Sequence, residues 1–176
     1  MRKVILYSAV SLDGFIAGPD HDMDWLEKPE YTLKDEHFGF KDLCERCDTS
    51  LCGNGTLEVV TQLTDEFPFP TERSVVFTRT PGRSFKGIEF VTDDVVDYTR
   101  KLLNEPGKDI WLVGGSQING QLLDAGLIDE LILTIIPTVL SGGVPLFAGN
   151  QKPADFQLVS TKDYSNGFVI LTYHKR

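Results

Sequence analysis

Short apolar runs alternate along the chain with stretches of helical period. "KVILYSAV", residues 3–10, is rich in β-branched and aromatic residues and predicts a first, central strand. A turn-rich loop follows, "SLDGFIAGPDHDMDW", carrying Gly14, Gly18 and Pro19. From about Tyr31 to Cys47 the period is helical, with Leu33, Phe38, Phe40 and Leu43 on or near one face. "TSLCG" reads as a short strand, and "NGTLEVVTQL" as a glycine turn feeding a helix. "ERSVVFTRTPG" is a strand closed by a Thr-Arg-Thr-Pro-Gly turn. "GIEFVTD" is a further strand, and Asp93 or Asp94 caps the helix "DVVDYTRKLLNE".

The strand "DIWLVGG" then runs into the helix "SQINGQLLDAGL". "DELILTIIPTVL" is a long strand, "SGGVPLF" a loop, and "FQLVSTKDYSNGFVILTYHKR" a hairpin turning at Ser165-Asn166-Gly167. Strands and helices alternate to about residue 130, after which strands follow one another. The pattern predicts an α/β fold of three αβα layers. Its sheet is mainly parallel and twisted, covered by helices on both faces and finished by a C-terminal antiparallel hairpin. No internal repeat or linker divides residues 1–176, so one domain is expected.

Composition narrows the partners. Acidic residues outnumber basic ones by 26 to 17, a formal charge of -9 that repels phosphate backbones and argues against nucleic acid. A phosphorylated cofactor remains compatible, because it needs only local amides and a cation or two. No apolar run approaches the ~20 residues of a membrane span. The opening "MRKVILYSAVSLDGF" alternates and lacks a small-residue cleavage site, unlike a signal peptide. A cytoplasmic protein is expected, and Cys44, Cys47 and Cys52 suit a reducing compartment. Cys44 and Cys47 form a C-x-x-C at the end of a helix, where the dipole opposes a thiolate. No second pair of ligands stands at zinc spacing, and His21, His37 and His174 are scattered. The cysteines are therefore expected to be packing residues, with no metal.

Parallel sheets bind ligands where strands exit into helices. Four exits carry unusual residues: "SLDGFIAG", "CGNGT", "FTRTPG" and "VGGSQ". Gly114-Gly115 would let backbone approach an anion, with Ser116 as a cap and the following amides pointing outward. A tight, ligand-free turn explains the same glycines, and Gly53-Asn54-Gly55-Thr56 poses the same choice. Arg79, between Thr78 and Thr80, suits a terminal phosphate or a solvated surface. Asp13 is placed to orient a substrate or simply to favour its turn. Trp25 covers a ring-shaped ligand or fills the core. There is no G-x-S-x-G, no Walker lysine loop and no histidine beside a nucleophile, so hydrolase and kinase chemistry lack their parts. Hydride transfer from a nicotinamide asks least of a protein: position the cofactor and exclude water.

In order and spacing these motifs resemble the dihydrofolate-reductase-like superfamily, and within it the reductase domain of bacterial riboflavin biosynthesis, the bifunctional deaminase-reductase C-terminal family. The resemblance runs from Lys3 to about Tyr173, and "WLVGGSQINGQLLDAGLIDELILTIIPTVLSGGVPLF" is its most specific stretch. It implies an NADPH-dependent reductase of a small heterocyclic or sugar-phosphate substrate, like 5-amino-6-(5-phosphoribosylamino)uracil reductase, and a homodimer formed through apolar strand surface such as "LILTIIPTVL". By that resemblance Ala9 and Ile16 flank the nicotinamide. Gly53, Asn54, Gly55 and Thr56 meet the pyrophosphate and adenosine side, and Thr78 and Arg79 the 2'-phosphate. Gly114, Gly115, Ser116, Gln117 and Ile118 cradle the pyrophosphate, and Thr134 falls where the superfamily contacts substrate. From the residues themselves, Trp25 is a further candidate on the substrate side and Asp13 the candidate catalytic carboxylate. Asn54 stands where the family often has arginine. Glu30, Asp35 and Glu36 are near the helical carboxylate of folate reductases, none in register. Dihydrofolate reduction, or a non-catalytic NADP(H) sensor, are the alternatives.

Overall fold

Alternation along the first strand decides the layering. In β1 (Val4–Ser11) Val4, Leu6 and Val10 enter one apolar cluster while Ile5 enters another on the opposite face. The computed structural model describes residues 1–34, 36–63, 69–149 and 152–176. After β1 come β2 (Phe15–Ala17), α1 (Phe40–Arg46), β3 (Cys47–Gly53), α2 (Asn54–Leu63), β4 (Arg73–Phe77) and β5 (Ile88–Val91). Then follow α3 (Val95–Leu103), β6 (Asp109–Gly114), α4 (Ser116–Asp124), β7 (Glu130–Ile136), β8 (Val144–Pro145), β9 (Phe156–Asp163) and β10 (Val169–Lys175).

Eight strands form one sheet in the order β5-β4-β3-β6-β1-β7-β10-β9. The pairings from β5 to β7 are parallel, and β10 runs antiparallel to both neighbours. On one face Leu51, Val75, Ile110 and Leu112 meet α3 and α4 through Val95, Leu102, Ile118 and Leu122. On the other, Cys52, Val76 and Trp111 meet α1 and α2 through Leu43 and Leu57. Each fully buried aliphatic side chain contributes roughly 1.5–3 kcal/mol. This is the mainly parallel α/β fold with a C-terminal hairpin that the alternation predicts. Among the described residues no helix is long and apolar enough to cross a membrane.

Three elements differ from the sequence pattern. The helix expected over Tyr31–Cys47 is reduced to α1. Phe38 and Gly39 adopt φ of 49° and 84°, which ends any helix before residue 40. That backbone sends the Phe38 ring against Tyr164 and Phe168, at centroid distances of 5.0 and 5.2 Å, so tertiary packing overrides the local period. Residues 15–17 and 144–145, expected as loop, pair as a small antiparallel ribbon. Finally, β7 lies inside the sheet between β1 and β10, with Leu131, Thr134 and Ile136 buried. Ile132, Leu133 and Ile135 beside them are half-buried, and Val139 after the strand is exposed. The exposed large apolar side chains of the sheet are Leu158 and Val159 on the edge strand β9.

Charged residues lock the sheet at the starts of its strands. The Arg46 guanidinium donates to both oxygens of Glu130 at 2.9 and 2.6 Å, and Glu130 is 3% exposed. Arg2 donates to Asp48, Thr49 and the Lys108 carbonyl. Asp129 accepts the Val4 amide at 2.9 Å. Everything at the opposite edge is left for the loops.

Candidate functional site

At the carboxyl ends of β1, β3, β4 and β6 the loops enclose a cleft of about 1270 Å³. Two glycine exits meet there. A Cβ on Gly115 would stand 3.0 Å from Thr56 Oγ1, and one on Gly114, whose φ is 111°, 3.3 Å from Asn119 Oδ1. The turn lacks side chains because the β3–α2 and β6–α4 turns press against each other. The Gly114–Gly115 peptide is cis. Asn119 Nδ2 donates to the Leu146 carbonyl at 2.9 Å and fixes the loop above α4.

Ser116 does not cap α4. Gly115 holds the cap position without any side-chain bond, and Ser116 is the first helical residue. Ser116 lines the cleft, and its hydroxyl is buried without a hydrogen-bond partner among the described residues. Asn54 Oδ1 is likewise buried without a partner, while its Nδ2 donates to Glu58 Oε1 at 2.8 Å. Buried polar atoms are nearly always bonded, so two orphans on one cleft wall, beside an uncapped helix N-terminus, make this wall the candidate place for a ligand's polar groups.

The cleft lining contains Ala9, Ile16, Gly53, Asn54, Gly55, Thr56, Thr78, Arg79, Gly115, Ser116, Gln117 and Ile118, all candidates from the sequence. Gly114 sits behind this wall. Arg79 is exposed and reaches across to Gln117 Oε1 at 3.5 Å, while the Thr80 amide donates to Thr78 Oγ1 at 3.1 Å. The structure places three candidates elsewhere. Trp25, 5% exposed, fills a third apolar cluster with Tyr31, Ile136 and Phe168. Thr134 is buried within the sheet, in register with Ala9 and Ile170. Asp13 lies outside the lining and acts as a loop staple. Its carboxylate accepts from Ser11 Oγ at 2.7 Å and from the amides of Leu140 and Ser141 at 3.1 and 2.8 Å. The Ser11 bond, then those amides, hold its carboxyl below the usual value. Glu30 and Glu36 do not line the cleft, and Asp35 falls outside the described residues.

The sequence reading missed the other half of the wall. Tyr7, Trp111 and Val113 project from the sheet, Val59 and Val60 from α2, and Met23 and Leu26 from the loop after β2. Two signals were available: Tyr7 is two residues before Ala9, and Trp111 is two before Val113, so each pair shares a face. The cleft therefore has two arms. One follows Phe77, Val95 and Ile118 on the α3–α4 face; the other follows Tyr7, Trp111 and Val113 on the α1–α2 face. Burial pushes the Tyr7 phenol up to about 12, and it donates to the Phe38 carbonyl at 3.1 Å.

Burial pushes Cys47 and Cys52 up to about 12 as well, and raises Cys44. All three are free thiols, and no group of metal-ligating residues forms among the described residues. Iodoacetamide at neutral pH is expected to leave Cys47 and Cys52 of the native protein unmodified and to label both in guanidinium. Peptide mass spectrometry reads the difference, and rapid native labelling of Cys47 would show the strand start opening.

A mainly parallel sheet finished by an antiparallel C-terminal hairpin, with a two-armed cleft at the carboxyl ends of its strands, is the dihydrofolate-reductase-like fold. The chain belongs to the RibD C-terminal domain family, whose model matches residues 2–170. It is 33% identical over 184 residues to the uncharacterized protein YyaP of Bacillus subtilis (strain 168), covering 98% of this chain and 95% of that one. A putative riboflavin biosynthesis protein from Shewanella sp. PV-4 superposes with a TM-score of 0.87 at 28% identity, covering 99% of both chains. Dihydrofolate reductase from Enterococcus faecalis, solved with NADP(H), shares the fold: TM-score 0.69, 17% identity, 99% of this chain and 96% of that one.

Proposed function

We propose that the chain is an NADPH-dependent reductase that delivers a hydride to a small heterocyclic or sugar-phosphate substrate of the riboflavin-biosynthesis kind. The observation that carries this reading is the uncapped N-terminus of α4 on the cleft wall, where Ser116 has a buried, unpartnered hydroxyl. An α-helix start offers free amides and a positive dipole end, the arrangement that holds a pyrophosphate. Gly115, Ser116, Gln117 and Ile118 would receive it on one side and Gly53, Asn54, Gly55 and Thr56 on the other. Thr78 and Arg79 would meet the 2'-phosphate, and Ala9 and Ile16 the nicotinamide. The bound dinucleotide supplies the hydride; the chain orients it and keeps water from it.

Arg79 gives the test. A charge-assisted bond contributes about 1.5–3 kcal/mol, reduced by the exposure of this side chain, so Arg79→Ala is expected to weaken NADPH roughly tenfold. NADH, without the 2'-phosphate, should barely change. Calorimetric titration of both cofactors decides. Equal weakening would move Arg79 to the pyrophosphate or the fold, and no weakening would leave it a surface residue.

The same reading includes a homodimer. On the edge strand β9, Leu158 and Val159 are 49% and 54% exposed, and an unpaired edge with apolar side chains favours a second copy. Light scattering at micromolar concentration is expected to give twice the 19.7 kDa chain mass; a monomer mass refutes it.

A further inference from the structure

We propose that the substrate of this cleft is an uncharged planar heterocycle carrying no phosphate, an inference that rests on the reductase reading above and narrows it. Of the described lining residues, Arg79 is the only lysine or arginine. The residues outside the described set, 35, 64–68, 150 and 151, include neither type. Arg79 lies on the turn after β4 and reaches to Gln117 at the start of α4, which puts it on the cofactor arm. In the sheet β4 is three places from β1, about 14 Å at the usual strand spacing of about 4.8 Å. One guanidinium cannot serve a cofactor phosphate there and a substrate phosphate beside Tyr7.

The second arm is built for something else. Tyr7, Trp111, Val113, Val60, Met23 and Leu26 give it aromatic and aliphatic walls. A phosphate placed there would lose its hydration with no counter-ion to offset the loss, inside a chain of net charge -9. A planar ring would instead lie against the Tyr7 and Trp111 side chains. Trp111 is 6% exposed, and its indole Nε1 has no acceptor among the described residues. That is a donor suited to a ring carbonyl. The remaining side chain able to carry positive charge, His21, is exposed on the loop after β2.

The test uses matched pairs: uridine and uridine 5'-monophosphate, 6-hydroxymethylpterin and its phosphate, riboflavin and its 5'-phosphate. Each is titrated calorimetrically into protein saturated with NADP⁺ and assayed for NADPH oxidation. The unphosphorylated member is expected to bind at least tenfold more tightly in every pair that binds, and His21→Ala to preserve that preference. Val60→Lys, which brings a cation into the apolar arm, should shrink the difference at least tenfold. Equal or tighter binding of a phosphorylated member by the wild-type protein overturns the proposal, and so does failure of every pair to bind. A separate NADPH titration locates any failure. If NADPH binds, the substrate class is wrong; if it does not, the cofactor reading falls first.

Discussion

If the chain binds NADPH as proposed, replacing Gly143 with alanine is expected to weaken that binding more than tenfold while the eight-stranded sheet stays folded. Gly143 has φ of 129°, a region that costs a side-chain-bearing residue roughly 1–3 kcal/mol. The added Cβ would also stand 2.2 Å from the Ala17 carbonyl oxygen and 2.7 Å from the Gly18 carbonyl carbon. Both are backbone atoms, so no rotamer relieves the overlap and β8 must leave β2. That ribbon carries Ile16, Ala17, Val144 and Pro145 into the cleft, yet it is a sheet of its own. A calorimetric titration beside a far-ultraviolet melt separates the two effects. Unchanged affinity would exclude the ribbon from the cofactor site, and a collapsed melt would make it a structural keystone.

Arg46→Ala is expected to lower stability by about 2–3 kcal/mol, less than the 3–5 typical of a broken buried pair because Arg46 is 39% exposed and water replaces part of the loss. For a chain of this size that corresponds to a fall in melting temperature of roughly 4–12 °C. Glu130 would stay buried with His174 Nε2, at 3.7 Å, as its nearest potential cation. The double variant Arg46→Met/Glu130→Leu removes the stranded carboxylate and should recover most of the loss. If both variants melt alike, the cause is lost packing of the Arg46 stem rather than an unpaired charge.

How much of this was legible in the sequence depends on how local each signal is. The strands β1, β3, β4 and β6 are dense in β-branched and aromatic residues and declare themselves. The hairpin turn does too, with Gly167 at φ 87° accommodating its left-handed backbone. Asp94 caps α3 by accepting from the amides of Val96 and Asp97, a local geometry that the spacing specifies. The glycine exits were equally visible, and most residues named from them line the cleft. Distant contacts were not. Phe38 leaves the helical period because of rings near residue 168, and β2 finds β8 across more than a hundred residues. Trp25 has a sequence context that fits a site or a core, Thr134 is named by the family resemblance alone, and only the packed neighbours show both buried outside the cleft lining. Asp13 is similar, since its decisive partners are Leu140 and Ser141.

The charged locks gather at the strand starts, and the cleft opens at the strand ends. Substitutions at well-separated positions tend to act independently. A mutational library confined to Met23, Leu26 and Val60 would thus sample new ligand preferences against a foundation whose ion pairs it never touches. The protein's architecture makes it a scaffold in which selectivity can be evolved without first re-engineering its durability.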